Sequence, residues 1–288
     1  MAKGKELKAR IRTTESTRKI TRTMEMVATS KLKRALDRVQ AARPYANALG
    51  DVISSLYTPE LAERFPLLRQ PEQERRAAVL LMTADRGLCG GFNANLIREA
   101  RHLVERLRDR SVEVELHFEG RRGVGYFRYI GEPVTASRIG ISERPTADDA
   151  SALIDGIMRQ FIDGTLDAVY VVYAQFKSPL STPPTASRIL PVTPPARTAG
   201  GTVPDYILAP SADAIVSELL PLYVRNQVYR ALVETAAGEQ GARRSAMKSA
   251  TDNATDMLSL LRRTYNRTRQ ASITQEIAEI VGGAAALE

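Results

Sequence analysis

The segment from Met247 to Leu287 constrains the fold of this chain more than any other. Apolar or small residues recur there at steps of three and four, so they fall on one face of a helix. They are Met247, Ala250, Ala254, Met257 and Leu261, followed by Ile273, Ile277, Ile280, Ala284 and Leu287. No proline interrupts the segment. The pattern predicts a long helix whose apolar seam packs against a second helix.

The other faces of this predicted helix are polar. They present Arg262, Arg263, Thr264, Arg267, Arg269 and Gln270. A helix buried on all sides of its own domain would not carry so many hydrated groups. We therefore expect the helix to face solvent or to enter another protein.

A second long helix is predicted at the start of the chain. Its apolar residues also repeat at steps of three and four, and they are Leu7, Ile11, Ile20, Met24, Val27, Leu32, Leu36 and Val39, then Ala46, Leu49, Ile53 and Leu56. Pro44 predicts a bend. At 1.5 Å per residue, a helix over residues 3–57 would be roughly 80 Å long and one over residues 212–286 roughly 110 Å. An antiparallel coiled coil of the two chain ends would cover both seams.

The excess positive charge is concentrated in the first part of the chain. Residues 1–43 contain thirteen lysines or arginines and four acidic residues, a net of +9, whereas the whole chain has a net charge of +8. Such a segment indicates an acidic partner, which could be nucleic acid, an anionic membrane or an acidic protein surface, or else a solvated helix face. A nucleic-acid binder is disfavoured, because no recognition motif and no interleaved aromatic residues accompany the charge.

Strand and helix patterns alternate between the two predicted long helices. The elements are a strand at Ala77–Met82, helices at Leu96–Leu107, Gly123–Tyr129 and Ala150–Ile162, strands at Val112–Phe118 and Ala168–Phe176, and an edge strand at Arg188–Val192. The alternation is typical of a small doubly wound, Rossmann-like α/β domain. Residues 177–210 hold eight prolines and are interpreted as a return connection.

These patterns divide the chain into four parts. We predict an N-terminal coiled-coil helix at 1–57, a polar linker at 58–75, the α/β domain with its proline-rich return at 76–210, and a C-terminal coiled-coil helix at 211–288. The predicted fold class is thus mixed, α+β, with a long antiparallel coiled coil and an inserted small α/β domain.

A glycine-rich turn after the first strand, DRGLCGGFN, raises the alternative of a nucleotide-dependent enzyme. The turn lacks both the lysine ending of a P-loop and the three-glycine spacing of a dinucleotide site. The second glycine-rich stretch, from Gly120 to Phe127, favours a turn and close packing. No carboxylate pairs with a nucleophile or base in a recognisable spacing. The sequence therefore predicts no catalytic site and no cofactor.

The remaining residues that could bind a metal are isolated. Cys89 has no second cysteine, and His102 and His117 belong to different elements, so we interpret all three as surface or packing residues. No run of about 18 apolar residues occurs that could span a membrane. Attachment to a membrane complex stays open.

Three separated segments carry a specific resemblance. They are KITRTMEMVATSKLKRA near the start, TADRGLCGGFNANL in the middle, and SAMKSATDNATDML followed by YNRTRQASITQEIAEIVGGAAAL at the end. In content and order they resemble the gamma subunits of F-type ATP synthases. The resemblance spans the whole chain.

This resemblance implies a mechanical function. The coiled coil is expected to stand in the cavity of a ring of three alpha and three beta subunits. The α/β domain is expected at the membrane-side foot, where with the epsilon subunit it binds the c-ring of the membrane sector. The beta subunits catalyse the reaction in this family, so the resemblance implies a rotor without a catalytic residue, a metal or a cofactor, held at the membrane only through the complex.

The resemblance also implies contacts of the first helix with the beta subunits. Met24, in TRTMEMV, matches the family's methionine near an acidic lever segment of the beta subunits. Arg22 and Lys31 lie on the same basic helix and are expected to supply electrostatic complementarity. The alternative for Met24 is a residue of the coiled-coil seam, which is compatible with a contact.

Four polar residues of the last helix are expected to contact a beta subunit. Arg269 and Gln270, in TRQASITQE, match the pair that hydrogen-bonds a catch loop of that subunit. Thr274 and Glu276 match the next polar contacts. The alternative for all four is a solvated helix face.

The resemblance also implies roles for the end of the last helix and for the foot. Residues from Ile277 to Leu287, including Ile280, are expected to form an apolar bearing tip at the top of the ring, and Tyr206 is a candidate for the c-ring contact of the foot. Ala209 stands where the family often has an acidic residue, so an ionic contact is not expected there. Pro221 predicts a kink or a helix start at that position.

The composition of the first residues indicates where in the cell the protein is expected. The basic beginning contains Glu6, Glu15 and Glu25 and runs directly into a helical pattern, so it is interpreted as mature structure and not as a transit peptide. The two-cysteine regulatory insertion of chloroplast members is absent. We expect a bacterial protein, peripheral at the cytoplasmic face of the inner membrane.

Overall fold

The computed structural model describes residues 2–57, 63–178, 181–193 and 212–285. The chain divides into two compact units, one formed by residues 1–29 with 243–288 and the other by residues 30–242. Two long helices, α1 (Ala2–Leu56) and α5 (Ala212–Ala285), contribute a segment to each unit. The predictions made for Tyr206, Ala209 and Leu287 fall outside the described residues.

The remaining elements belong to the unit of residues 30–242. In chain order they are a 3-10 helix at Pro66–Leu68, β1 (Arg76–Met82), α2 (Phe92–Asp109), β2 (Glu113–Glu119), α3 (Arg121–Tyr129), β3 (Ala136–Arg138), α4 (Ala147–Ile162), β4 (Ala168–Ala174) and β5 (Pro184–Leu190). The strands form one five-stranded sheet in the order β3-β2-β1-β4-β5. All neighbouring pairs are parallel except β4 and β5, which are antiparallel. The mixed α/β fold predicted from the sequence is confirmed.

The sheet is covered on both faces, which explains why its central strand is almost wholly apolar. Ala78, Leu80 and Met82 of β1 point into a core that includes α4, the 3-10 helix and segments of α1 and α5. Ala77, Val79 and Leu81 point into a second core that is formed with α2 and α3. The period of two along β1 thus divides its side chains between two cores.

Local sequence explains where the helices of the sheet domain begin. The Thr146 hydroxyl accepts a hydrogen bond from the Asp149 amide, and the Asp149 carboxylate accepts one from the Thr146 amide, which forms a capping box for α4. Gly120 precedes α3 with a φ of +90°, a conformation that favours glycine.

Several predicted elements differ from the structure. Helix α2 begins earlier, at Phe92, directly after the glycine-rich turn. Strand β5 begins at Pro184, within the predicted return connection, and β3 was not predicted. The segment predicted as a polar linker contains Leu67 and Leu68, which are buried in the core beneath α4. The division of the chain into four domains stays a prediction.

Both internal prolines lie within continuous helices. Helix α1 runs through Pro44, and α5 begins at Ala212 and runs through Pro221, so the predicted helix start at Pro221 is wrong. A proline leaves the carbonyl four residues earlier without its helical donor. Those carbonyls belong to the exposed residues Gln40 and Ser217, where solvent can replace the missing donor.

Within each unit, α1 and α5 run antiparallel. In the unit of residues 30–242, Ala35 and Val39 pack with Val233 and Ala237. In the other unit, Thr21 bonds Thr251 and Glu15 pairs with Arg262. Residue numbers rise on one helix as they fall on the other, so the antiparallel pairing predicted from the two seams is observed.

In the unit of residues 1–29 and 243–288, some of the residues buried between α1 and α5 differ from those predicted for the seam. Thr21 and Ala28 are buried, whereas the neighbouring Ile20 and Val27 are about half exposed. On α5 the seam passes through Met247, Thr251, Ala254 and Leu258, and Met257 is exposed. The placement of Ile20, Val27 and Met257 in the seam was therefore wrong. Small residues occupy much of the seam because they allow the two helix backbones to approach closely.

Ile273, Ile277 and Ile280 are exposed as well, although the pattern placed them in the same seam. The register explains this difference. Since Thr251 lies opposite Thr21 and Arg262 opposite Glu15, positions beyond about 273 lie past the first turn of α1, which begins at Ala2. The last turns of α5 therefore have no helical neighbour among the described residues.

Candidate partner-binding surfaces

The last part of α5 exposes a cluster of large apolar side chains. Ile273, Ile277, Ile280 and Val281 are between 48% and 72% exposed. Singly exposed apolar residues are ordinary, but a contiguous apolar stripe on one helix marks an interaction surface. The structure thus leaves two of the residues predicted for the bearing tip, Ile277 and Ile280, accessible to a partner.

The four polar residues predicted to contact a beta subunit lie on the same exposed stretch. Arg269, Gln270, Thr274 and Glu276 are all exposed. The Thr274 hydroxyl donates to the Gln270 carbonyl at 3.0 Å, within the helix. The side chains of Arg269 and Glu276 meet no ion-pair partner among the described residues, so they can bind groups of another chain.

The three residues predicted on α1 have different surroundings. Arg22 is exposed and Met24 is half-buried. Lys31 belongs to the unit of residues 30–242, and its ammonium lies 2.8 Å from a carboxylate oxygen of Glu143, which the sequence pattern did not indicate. Arg38 donates to the Glu143 carbonyl at 3.2 Å. A contact of Lys31 with a beta subunit would have to share or displace Glu143.

Other exposed apolar residues were not predicted as contacts. Three of them, Ile20, Met26 and Leu260, are more than half exposed. Two others, Val27 and Met257, are half exposed. Ile20, Val27 and Met257 each lie next to a buried seam position, where an apolar residue lengthens the apparent apolar pattern. A strict heptad alignment of both helices, with small residues allowed in the seam, would have separated them from the seam.

The glycine-rich turn after β1 is organised by one carboxylate. Asp85 Oδ1 accepts a hydrogen bond from the Arg121 amide at 3.0 Å, at the first turn of α3. Asp85 Oδ2 accepts from the Gly140 amide at 2.8 Å and from the Ser142 hydroxyl at 3.0 Å. The carboxylate therefore occupies the position where a helix N-terminus would bind an external phosphate.

The glycines of the second motif serve close packing. A Cβ at Gly120 would lie 2.0 Å from the Thr83 carbonyl oxygen, and one at Gly123 would lie 3.1 Å from the Thr83 hydroxyl. The Thr83 hydroxyl accepts a hydrogen bond from the Gly123 amide at 2.9 Å. These glycines bring α3 against the end of β1, as the sequence pattern indicated.

Glu119, at the end of β2, is buried beside other carboxylates. Its side chain is 1% exposed, and Oε1 meets no hydrogen-bond donor among the described residues. Burial raises the pKa of Glu119 well above its ordinary value, and the nearby Asp85 and Glu239 raise it further. Only a hydrogen bond from the Thr83 backbone opposes this shift. Burial beside Asp85 and Glu239 thus favours the protonated form of this carboxyl.

Cys89 and His117 are packing residues and His102 is a surface residue. Cys89 is buried at the glycine-rich turn, and its sulfur accepts a hydrogen bond from the Asn93 side chain. His117 is buried in β2, and burial lowers its pKa while Glu115 opposes the shift. His102 is exposed on α2. Among the described residues no cluster of three or more metal-ligating side chains occurs, and no helix has an apolar stretch that could cross a membrane.

Comparison with known proteins identifies the family. The family model described as ATP synthase matches residues 3–287. The ATP synthase gamma chain of Gemmatimonas aurantiaca is 64% identical over the full length of both chains. This chain belongs to the ATP synthase gamma-chain family.

More distant members of the gamma-chain family match over nearly the same length. The gamma chain of Frankia casuarinae is 42% identical, with 98% of this chain and 97% of that one covered. The gamma chain of Leptospira biflexa is 39% identical over the whole of both chains. The resemblance inferred from three sequence segments is confirmed.

Solved structures of ATP synthase parts contain chains with the same fold. The central stalk and c-ring structure of the Tetrahymena thermophila mitochondrial ATP synthase includes a chain that matches with a TM-score of 0.62 at 25% identity, covering 80% of this chain and 99% of that one. A chain from the Euglena gracilis mitochondrial ATP synthase structure titled OSCP/F1/c-ring matches with a TM-score of 0.70 at 17% identity, covering 99% and 95%. The second match concerns the fold alone.

Proposed function

We propose that this chain is the central-stalk rotor subunit of an F-type ATP synthase. It couples proton-driven rotation of the c-ring to conformational cycling of the catalytic beta subunits during ATP synthesis and hydrolysis, and it contributes no catalytic residue itself. Membership in the gamma-chain family and the full-length similarity to a bacterial gamma chain support this function.

The proposed mechanism is mechanical allostery. A rotor that presents different side chains to each of three beta subunits changes the relative stability of their conformations, because it makes different contacts with each state. Arg269, Gln270, Thr274 and Glu276 are the contacts that we assign to α5, and their exposure leaves them available. Arg22, Met24 and Lys31 are the corresponding contacts of α1, with Lys31 exchanging its ion pair with Glu143 for an acidic group of a beta subunit.

The observation that carries this proposal is the apolar end of α5. Ile273, Ile277, Ile280 and Val281 would be unfavourably exposed in an isolated chain. We assign Ile277, Ile280 and Leu287 to a bearing in an apolar sleeve formed by the alpha and beta subunits. Apolar contacts suit a bearing because they have no preferred direction and do not fix one rotational angle.

We assign the α/β domain to the foot of the stalk. There it would bind the epsilon subunit and the c-ring, with Tyr206 as a contact, and it would hold the chain as a peripheral protein at the cytoplasmic face of the bacterial inner membrane. The chain would associate with the membrane only through these subunits. No nucleic acid is involved in this function.

Co-expression of this chain with its own alpha and beta subunits tests the proposal. Size-exclusion chromatography should yield a complex of three alpha, three beta and one copy of this chain, with ATPase activity in that peak and none in the isolated chain. If the chain elutes alone while alpha and beta assemble, the rotor function is wrong. Binding of nucleic acid with a steep salt dependence would then favour the basic-helix alternative.

A further inference from the structure

A small basic pocket lies between α1, α5 and the loop that joins β3 to α4. It has a volume of about 170 Å³, and all of its lining residues belong to the unit of residues 30–242. Its polar lining residues are Lys31, Arg34 and Arg38 of α1, Glu143 and Arg144 of the loop, and Gln240 of α5. Four cationic side chains thus line this pocket together with one carboxylate.

The carboxylate of the pocket is already shared between two cations. The Lys31 ammonium lies 2.8 Å from Glu143 Oε1, and the guanidinium of Arg86, outside the pocket, lies 3.6 Å from the same oxygen. Arg38 donates to the backbone carbonyl of Glu143 at 3.2 Å, which carries no full charge. Glu143 therefore leaves the positive charge of the pocket largely uncompensated.

Arg34 and Arg144 supply most of the uncompensated charge. Both are exposed, and within the part of the chain that the structure describes neither guanidinium lies within ion-pair distance of a carboxylate. Guanidinium groups bind oxyanions through paired, parallel hydrogen bonds. Cations that line one concave surface also create a positive potential that attracts an anion.

Gln240 adds a buried polar group to the lining of the pocket. Its side chain is 3% exposed, and its Oε1 meets no hydrogen-bond donor among the described residues. Buried polar groups are nearly always hydrogen-bonded, so an unpaired carboxamide in the lining of a pocket points to a polar ligand. Rotation of the carboxamide exchanges its oxygen for an NH₂ group, so Gln240 can donate to an oxyanion or accept from a protonated one.

The size of the pocket selects a small ion. Pockets for organic ligands and cofactors have volumes of roughly 300–1,000 Å³, so a whole nucleotide would not fit into about 170 Å³. A carboxylate of a polypeptide would bring one flat group with two oxygens, whereas a phosphate ion brings four oxygens in a tetrahedron. Donors that reach the pocket from three separate elements match the tetrahedral ion better. A hydrogenphosphate ion also keeps a hydroxyl that can donate to the Gln240 oxygen.

We propose that this pocket binds one inorganic phosphate ion, with Arg34, Arg144 and Gln240 as its main hydrogen-bond donors. Lys31 and Arg38 add positive charge at its side while they keep their contacts with Glu143. The bound ion joins α1, the loop and α5 within the unit of residues 30–242. The site goes beyond the contacts assigned to the rotor, because its ligand is a free ion that the isolated chain binds.

Isothermal titration calorimetry of the purified full-length chain with potassium phosphate tests the proposal. We expect one site per chain, with a dissociation constant of about 1 mM or lower. Arg34→Gln with Arg144→Gln should weaken this binding by about tenfold or more, because it removes two charge-assisted donors. The absence of phosphate binding by the unaltered chain overturns the proposal.

A matched control separates the pocket from general loss of charge. Arg128→Gln with Arg159→Gln removes the same charge from exposed positions on α3 and α4, which do not line the pocket, and it should leave phosphate binding unchanged. Circular dichroism establishes that each variant folds, and the single variant Arg144→Gln replaces the double variant if the latter fails this check. Equal affinities of the pocket variant and the control overturn the proposal.

Thermal unfolding provides a second measurement of the same site. A ligand that binds only the folded state raises its stability, so phosphate at a concentration well above the dissociation constant should raise the melting temperature of the unaltered chain. The control variant should show the same increase, and the variant of Arg34 and Arg144 a smaller one. An equal increase in all three chains shows a general salt effect and overturns the proposal.

Chemical modification locates the bound ion. Phenylglyoxal modifies accessible arginines, and peptide mass spectrometry measures the rate at each position. Saturating phosphate should slow the modification of Arg34 and Arg144 and leave that of Arg128 and Arg159 unchanged. Equal protection of all four arginines, or no protection at any of them, overturns the proposal.

Two further ligands separate the possible sources of the anion. Calorimetry with ADP tests the phosphates of a nucleotide, and a hexaglutamate peptide tests an acidic protein segment. We expect inorganic phosphate to bind at least tenfold more tightly than either of them. Tighter binding of ADP or of the peptide, lost in the variant of Arg34 and Arg144, assigns the pocket to that ligand and overturns the proposal.

This inference and the proposed function fail in different ways. Phosphate binding is measured on the isolated chain, whereas the rotor function is measured by assembly with alpha and beta subunits. A chain that assembles but does not bind phosphate contradicts only the phosphate site. A chain that binds phosphate but does not assemble contradicts only the rotor function.

Discussion

The hydroxyl oxygens of Thr251 and Thr21 lie 2.8 Å apart across the helix pair, and both side chains are buried. Thr21 also donates to the Arg18 carbonyl at 3.1 Å, so its oxygen can accept the hydrogen of Thr251. The Met247 carbonyl, 2.8 Å from Thr251, is the alternative acceptor. A polar pair inside an otherwise apolar seam favours one register, because a shift would separate the two hydroxyls.

A double-mutant cycle on this pair should give a measurable coupling. Thr21→Val and Thr251→Val each keep the side-chain shape and remove a hydroxyl. We expect a coupling free energy of about 0.5–1.5 kcal/mol between them in urea unfolding of the purified chain. The matched control cycle combines Thr21→Val with Thr255→Val on α5, whose hydroxyl bonds the Thr251 carbonyl of the same helix. Equal coupling in both cycles would contradict a specific contact.

The seam shows which part of the fold the sequence could predict. The period of three and four in both helices was sufficient to predict two long antiparallel helices, since that period follows from helix geometry. The choice of face was wrong in places, because large apolar residues were preferred over small ones. Ala28 and Thr21 are buried in place of Val27 and Ile20, and nothing in local hydrophobicity distinguishes a seam residue from one that a partner subunit covers.

The α/β domain was predictable where its elements are buried on one or both faces. β1 and β4 are apolar and were found, whereas β3 consists of three exposed residues, Ala136–Arg138, and has no pattern to detect. The role of Asp85 was missed for another reason. Its three hydrogen-bond donors come from positions 121, 140 and 142, which only the tertiary fold brings together.

Replacing Gly120 by alanine should destabilise the α/β domain. Its φ of +90° is unfavourable for any residue with a Cβ, and the new methyl group would meet the Thr83 carbonyl oxygen at 2.0 Å. We expect a loss of about 2–4 kcal/mol in the free energy of unfolding. Gly125→Ala is the matched control within α3, because its Cβ would meet nothing within 4 Å. That change should stabilise the helix by about 0.5–1 kcal/mol. Similar melting temperatures for the two variants would rule out the role assigned to Gly120.

Glu119 should make the stability of the chain depend on pH. Its pKa is raised in the folded protein above an ordinary value of 4.5, by burial first and then by Asp85 and Glu239. The folded state therefore holds the proton more tightly than the unfolded state. The stabilising effect is complete below pH 4.5 and is lost as the pH rises toward the folded pKa, by at most about 1.4 kcal/mol per pH unit.

The variant Glu119→Gln has a similar shape and does not titrate. Compared with the unaltered chain, it should be equally stable near pH 4 and more stable at pH 7, with a melting temperature higher by about 2–4 °C for each kcal/mol gained. Thermal unfolding followed by circular dichroism over this pH range measures the difference. Glu113→Gln, at an exposed position of the same strand, is the control and should leave the pH dependence unchanged. A variant at position 119 with the pH profile of the unaltered chain would exclude this carboxyl as the source.

Removing the apolar end of α5 should lower the stability of the complex with alpha and beta subunits more than the stability of the isolated chain. The described side chains of the deleted segment, at residues 277–281, are exposed, so deletion from Ile277 onward should not change the unfolding of the α/β domain. We expect lower stability of the complex with alpha and beta subunits and lower torque in single-molecule rotation, with rotation itself retained. Unchanged complex stability and torque would show that these residues do not form a bearing.

Arg269 and Gln270 should contribute to coupling and not to folding. Both side chains are exposed on α5, so Arg269→Ala with Gln270→Ala should leave the melting temperature of the chain within about 1 °C, since exposed substitutions change stability little. In the complex with alpha and beta subunits, loss of their contacts should lower ATP hydrolysis and synthesis by about tenfold, which corresponds to about 1.4 kcal/mol. Arg267→Ala, at an exposed position one half-turn earlier, is the control and should retain activity. A fall in the melting temperature or solubility of the double variant would instead assign these residues a structural role, and equal activity of the double variant and the control would remove them from the proposed contact.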